Sequence, residues 1–398
     1  MGLRVDKVRK DFPILDKGIV YFDNSCVTLK PKQVVEAMNK YYYEFPACAG
    51  RSMHRLGNKI TDEVAKSRET MRKFINAKRK EEIIFTRNTT EAINLVANSF
   101  KFKQGDKVLI TDKEHNSNLL PWQLLAEQGL IKLKVLGSKE DNTFNMEAFK
   151  REVRDVKLVS IVHTSNMDGV TNPAKEIIKI AHRNGALVML DAAQSVPHKD
   201  VDVRKLGVDF LAFSGHKMLG PSGMGILYGQ KALLENLHPF MVGGETVKDS
   251  TYTSRTWEDV PERFEAGLQN YAGIIGLAEA ARYLQKIGLK NIEKQELMLT
   301  TKLTKGLESF DNINILGPGP EQRGGITSFN LGKNDPHQIA LLLDNSANVM
   351  VRSGTHCVHS WFNKHKSPGT VRASVYFYNT EEEVDHFIKS LKKVSTLL

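Results

Sequence analysis

What the 398-residue sequence lacks narrows it first. It has only three cysteines, Cys26, Cys48 and Cys357, at no regular spacing, so neither a disulfide framework nor a CxxC-type zinc site is expected. No run approaches the ~18 consecutive apolar residues of a membrane-spanning helix. The opening "MGLRVDKVRKDF" has charge but no apolar stretch behind it, which argues against a secretory signal. Met1-Gly2 starts like a myristoylation motif, but Asp6 stands where Ser or Thr is required. A cytoplasmic protein with no membrane partner is therefore expected. No internal repeat or low-complexity tract interrupts the chain. The formal net charge is +10, yet the basic residues are scattered, with no sustained block or RNA-binding signature, so direct nucleic-acid binding is not expected.

What is present reads as an ordinary globular chain, 41% apolar and 26% charged, too long for one small core. Short β-rich runs alternate with amphipathic helical stretches, the pattern of a mainly parallel sheet with helices on both faces. The runs are "EIIFT", "DKVLIT" (106–111), "LVSIVHT" (158–164), "ALVMLD" (186–191), "DFLAFS" (209–214) and "GILYG" (225–229). Between them, Ile93, Val96, Ala97 and Phe100 repeat at helical spacing over 90–100. From about Leu284 the texture changes: helical stretches at 290–309 and 381–397 flank strands "ITSFNL" (326–331) and "TVRASVYFY" (370–378). The expected fold class is α/β. A large domain would span 16–284, and a smaller α+β domain would join 1–15 to 285–398.

Open α/β sheets bind ligands beyond the C-terminal ends of their strands. After "EIIFT", Thr89 and Thr90 precede Glu91, which suits either an ordinary N-cap box or a phosphate cradle. Asp191 and Gln194 follow "ALVML", while Ser214, His216 and Lys217 lie in the glycine-rich "SGHKMLGPSG". Taken singly, Asp191 is a turn residue and Lys217 a solvated charge. Together they offer an acid, an amine able to form a Schiff base and a phosphate cradle, the needs of pyridoxal 5'-phosphate. Near the end, "RSGTHCVHS" sets Cys357 between His356 and His359, as a buried filler, a metal ligand or a nucleophile. The trio alternates too closely to converge from a helix, and no carboxylate completes it, so no metal site is expected.

"YFDNS", "NTTEAINLVA", "EHNSNLLPWQ", "HTSNMDGV", "DAAQSVPH", "FSGHKMLGPSGMGILYG", "RFEAG", "RSGTHC" and "VRASVYFYNT" follow one another across nearly the whole chain. Their order resembles that of class V aminotransferase-fold cysteine desulfurases of the SufS/CsdA-like branch, with the type I fold of pyridoxal phosphate-dependent enzymes. "SGHKMLGPSG" and "DAAQS" carry the family, and "RSGTHC" the desulfurases within it. The resemblance implies that Lys217 holds the cofactor covalently and moves the substrate's Cα proton, and that Asp191 pairs with the pyridine nitrogen. His115 would stack on the ring, Asn166 and Gln194 would hydrogen-bond around its ring oxygen, and Thr89, Thr90, Ser214 and His216 would hold the phosphate. Arg372, assisted by Arg352 and beside Asn166, would grip the carboxylate of L-cysteine. Cys357 would take the sulfur as a persulfide, its proton passing to His356 or His115, and alanine would leave. The sulfur would go to an acceptor or scaffold protein of iron–sulfur cluster assembly or thio-modification, from a homodimer with sites at the subunit boundary.

Four positions depart from the family's habit. Leu268 follows "RFEAG" where Thr usually reaches the neighbouring subunit's phosphate, leaving Gln269 as the substitute if that contact exists. Ser25 and Cys26 replace two alanines after Asn24, so Cys26 is either a small filler or a second redox or sulfur residue near the cofactor. "VHSWFNKHK" replaces a Pro-containing stretch after Cys357 and is where an acceptor would differ. Asp168 stands where apolar residues are commoner, for no reason the sequence supplies. The competing readings are selenocysteine lyase or cysteine-sulfinate desulfinase, which lean less on the thiol, and an aminotransferase, epimerase or kynureninase-like lyase, which needs no Cys357. A non-catalytic scaffold is a further reading; it would need none of Lys217, Asp191 and His115.

Overall fold

The computed structural model describes residues 3–398; Met1 and Gly2, hence the start of the 1–15 segment and the myristoylation-like dipeptide, lie outside the described residues. The Val-, Ile- and Leu-rich runs become strands of one sheet: β2 (Ile83–Thr86), β3 (Asp106–Thr111), β4 (Ile131–Leu136), β5 (Val156–Val162), β6 (Leu187–Asp191), β7 (Phe210–Ser214) and β8 (Gly225–Gly229). Their order is β2-β8-β7-β6-β5-β3-β4, and all neighbours pair parallel except β8, which runs antiparallel to both β2 and β7. The inner strands are buried on both faces, as helices on each side require. Alternate residues of one strand feed separate cores: Val188 and Leu190 face one layer, and Met189 faces the other. The first layer holds α1 (Lys32–Glu44), α2 (Arg55–Phe74), α5 (Ala174–Arg183) and α6 (Tyr271–Ile287); the second holds α3 (Thr89–Ser99) and α4 (Asn116–Glu127). β4 is absent from the strands expected above, because "IKLKVL" puts lysines in a half-exposed edge strand.

A second sheet has the order β11-β12-β15-β14, from β11 (Ile313–Ile315), β12 (Ile326–Leu331), β14 (Arg352–Gly354) and β15 (Thr370–Ser374), all antiparallel. Its core is closed by α7 (Leu289–Leu307), α8 (Pro336–Ala347) and α10 (Glu381–Ser395). A hairpin of β9 (Val247–Ser250) and β10 (Arg255–Trp257) lies apart from both sheets. Two expectations need correcting. β1 (Val20–Tyr21) pairs with β13 (Val349–Met350), and Val20 and Phe22 join the second sheet's core, although 16–284 was expected to belong to the large domain. The strand expected over 370–378 stops at Ser374, because Tyr376, Phe377 and Tyr378 turn into the first core. There the Tyr376 hydroxyl donates to the Pro197 carbonyl at 2.7 Å, joining the two sheets' bodies.

Candidate active site

The parallel strands end along one edge of the large sheet, and the site grows from the turns they feed. Past β2, Asn88 caps α3, its Oδ1 accepting from the Glu91 N–H at 2.9 Å. The chain there passes so close to β8 that a Cβ on Gly225 would lie 2.7 Å from the Asn88 Cα. Only glycine fits. The N-cap is therefore Asn88, not the threonines, and Thr89 and Thr90 carry their hydroxyls to the cavity. The Thr89 N–H donates to Ser214 Oγ at 2.9 Å, and the Thr90 and Ser117 hydroxyls share a 2.7 Å bond. The positive end of a three-turn helix, ringed by the Thr89, Thr90, Ser117 and Ser214 hydroxyls, makes an anion cradle.

Past β6 and β7 come Asp191 and Lys217. Burial raises the Asp191 carboxyl, against Lys217 and the Ala193 N–H, which favour its charged form. Burial lowers the Lys217 ammonium, opposed by Asp191 and aided by Arg372. Past β3, His115 caps α4 by accepting the Ser117 N–H on Nδ1 at 3.1 Å. Burial first, then Lys217, Arg372 and His359, hold its pKa down at about 3, so the ring is neutral with its proton on Nε2. Behind it the buried Glu114, accepting from Thr111 and Asn118, is raised to about 7.

The second sheet supplies the guanidiniums. Arg372 and Arg352 face each other in register on β15 and β14. Arg372 Nη1 donates to the Asn166 carbonyl at 2.9 Å and Nη2 to Asp23 at 3.4 Å, while its buried Nε has no partner. Arg352 donates to Cys26 Sγ at 3.3 Å and sits 3.8 Å from Asp23. Between β14 and the short helix α9 (His359–Lys364), His356 and Cys357 both adopt left-handed conformations, φ 50° and 60°. The Cys357 carbonyl accepts the Asn116 N–H at 2.8 Å, and the His356 carbonyl accepts Asn166 Nδ2 at 2.7 Å.

The residues given catalytic, cofactor or substrate roles line one cavity of about 220 Å³: Thr89, Thr90, His115, Asn166, Asp191, Gln194, Ser214, His216, Lys217, Arg352, Cys357 and Arg372. Two details differ from expectation. His356 Nε2 shares a 2.7 Å bond with the Thr370 hydroxyl while its buried Nδ1 has no partner, and burial with Arg372 and Arg352 drives its pKa to about 2, which makes it a poor base for Cys357. The Asn166 and Gln194 amide nitrogens donate to the His356 and Ser25 carbonyls, leaving unpaired oxygens at the cavity; both present acceptors, not donors, toward a ring oxygen. His359 turns to Asn116, so the His356–Cys357–His359 trio does not converge, and no group of three potential ligands occurs among the described residues. Asp168 gains a reason: fully buried, it pairs with buried Lys113 at 2.8 Å. Gln269 donates to the Ala266 and Gly267 carbonyls of its own loop, and Leu268 is exposed. Asp23 and Ser117 also shape the site; both stand inside the quoted "YFDNS" and "EHNSN", but no local pattern sets them apart.

The donor set suits pyridoxal phosphate: an amine and a carboxylate at adjacent strand ends, an anion cradle, and orphaned polar atoms on Ser25, Asn166, Gln194 and Arg372 that want a polar ligand. Residues 20–387 match the model of the class-V aminotransferase family. A probable cysteine desulfurase of Halalkalibacterium halodurans is 41% identical over 98% of both chains. One from Pyrococcus abyssi is 42% identical over 98% of this chain and 97% of its own. The apo cysteine desulfurase of Thermococcus onnurineus superposes with a TM-score of 0.96 at 40% identity, over 100% of this chain and 99% of that one. The Escherichia coli cysteine desulfurase CsdA superposes at 0.93 with 29% identity, over 99% of each. With the type I fold and this cavity, the chain belongs to the class-V aminotransferase family and stands among its cysteine desulfurases.

Proposed function

We propose that this chain takes sulfur from L-cysteine onto Cys357 as a persulfide and releases alanine. The observation that carries the reading is one cavity shared by Lys217, Arg372 and Cys357. Pyridoxal phosphate, when bound, supplies a carbonyl for Lys217 and an electron sink for negative charge at the substrate Cα. Lys217 and Asp191 would hold its two ends, with Thr89, Thr90, Ser214 and His216 at its phosphate and His115 against its face. Arg372, with an uncommitted Nε, grips the substrate carboxylate, and Arg352 lends a second positive charge. Lys217, its ammonium destabilised by burial, is suited to moving the Cα proton. Cys357 attacks the substrate's sulfur: an S–S bond forms, the Cβ–S bond breaks, and its electron pair stays with the three-carbon fragment that leaves as alanine.

The large unit would be 16–284 less the β1 segment, 285–398 would carry the cysteine loop, and 1–15, whose Val8, Phe12 and Leu15 join the first core, would bridge the two. Exposed Val242, Tyr252 and Leu268 are apolar side chains that a homodimer would cover. No helix of the described residues is long and apolar enough to cross a membrane, which fits a cytoplasmic setting. Exposed His359, Lys364, His365 and Lys366 beside Cys357 would meet the sulfur acceptor of iron–sulfur assembly or thio-modification. The test pairs two variants. Lys217→Ala should lose the Schiff-base absorbance of the bound cofactor, and Cys357→Ala should keep it yet stop releasing alanine from cysteine. An unchanged spectrum in the first overturns the cofactor assignment; undiminished alanine in the second overturns the persulfide.

A further inference from the structure

The desulfuration chemistry leaves one cavity thiol without a task. Cys26 lines the same cavity as Cys357, and it is half-buried like Cys357. Its position is built: the Cys26 N–H donates to the Asp23 carbonyl at 3.1 Å, and the neighbouring Ser25 N–H donates to Ser374 Oγ at 3.0 Å. Its sulfur accepts the Arg352 guanidinium at 3.3 Å, and Arg352 is steadied by Asp23. Lys217 and Arg372 line the same cavity as Cys26. The cavity also holds buried polar atoms without partners, on Ser25 beside it and on Arg372. Cys48 offers a contrast: its nearest side-chain partner is the Tyr271 hydroxyl at 3.8 Å, and it lies outside the cavity.

Resting on the desulfurase reading, we propose that Cys26 is a second sulfane-sulfur acceptor, loaded from the Cys357 persulfide. The Cys26 thiolate attacks the outer sulfur of Cys357–S–SH. A new S–S bond forms on Cys26, the one on Cys357 breaks, and Cys357 departs as a thiolate that takes the proton released by Cys26. One sulfane sulfur moves between two thiols, so no oxidant or reductant is consumed. The Arg352 guanidinium, already on the Cys26 sulfur, offsets the negative charge on the thiol that attacks and on the persulfide that results. The consequence is a store: with Cys26 loaded, Cys357 is free to accept from a second substrate before any outside acceptor arrives.

The experiment counts alanine released from L-cysteine by the cofactor-loaded protein without reductant or acceptor, then locates the extra sulfur on alkylated peptides by mass spectrometry. The wild type should release two alanines per chain, with persulfide on both the Cys26 and Cys357 peptides. Cys26→Ser, which keeps an acceptor for Arg352 but cannot hold sulfane sulfur, should release one and carry persulfide on Cys357 alone. Cys48→Ser should still release two. One alanine from the wild type with sulfur on Cys357 only overturns the relay and leaves the desulfurase reading intact. Sulfur reaching Cys26 in Cys357→Ala also overturns it, because the loading would then bypass Cys357. No alanine from the wild type overturns the desulfurase reading itself.

Discussion

At the scale of single residues, the chemistry of the strand ends is legible because it depends on what each strand delivers. Asp191 and Lys217 leave adjacent parallel strands, so two short motifs suffice to bring them to one edge. His356 was not legible: its neutrality comes from burial and from Arg372 and Arg352, which only the tertiary structure brings around it. Asp23 escaped for the same reason, since Arg372 and Arg352 reach it from the far end of the chain. The cysteine loop carries two successive left-handed residues, a conformation that costs a side chain with a Cβ about 1 kcal/mol or more. Replacements of Cys357 should therefore rank against ordinary helix or strand sites. Cys357→Gly is expected to be more stable than Cys357→Ala by about 1 kcal/mol in urea unfolding, with both failing to form alanine.

At the scale of elements, most strand and helix positions follow from periodicity, as 106–111, 225–229 and 326–331 show. The misses have physical causes. In "IKLKVL" two lysines occupy a half-exposed edge strand that lacks the apolar run of its neighbours, and in "VYFY" four neighbours are buried at once, so no period of two survives there. Asp168 belongs to this scale because it ties the turn after β5 to the turn after β3 through Lys113. Both partners are buried, so removing one strands the other charge. Asp168→Ala should cost about 3–5 kcal/mol of unfolding free energy, and the double change Asp168→Leu with Lys113→Met should recover most of it. Two independent losses that simply add would show that the pair is not the cause.

At the scale of the whole molecule, the two-body α/β plan was legible in the change of texture near Leu284, but the return of β1 to the second sheet was not, because two residues carry no pattern. Several histidines are kept neutral by that plan. His115 and His163 are held at about 3 and His356 at about 2, in each case chiefly by burial. Unfolded, each takes a proton below about 6.5, so their folded pKa values are depressed and stability falls as pH drops from 6.5. Glu114, raised to about 7, works the other way between 7 and its unfolded value. Around pH 5 these four groups leave the unfolded chain with about two extra protons, a loss of about 3 kcal/mol per pH unit on acidification. Urea unfolding at pH 6.0, 5.5 and 5.0 measures it, and His163→Asn should lessen the slope by about 1.4 kcal/mol per unit. The cysteine loop also has a time course. It is tied to the large body by hydrogen bonds from the Asn116 backbone to Cys357, from Asn116 to His359 and from Asn166 to His356. At about 1 kcal/mol net for each bond, and with the burial of Val358 and Phe362 against Met167 to be lost as well, fewer than about one molecule in 150 would have the loop swung out at any instant. An acceptor that captures only that minority pays a matching factor in apparent affinity, so delivery would be paced by loop opening and not by sulfur chemistry.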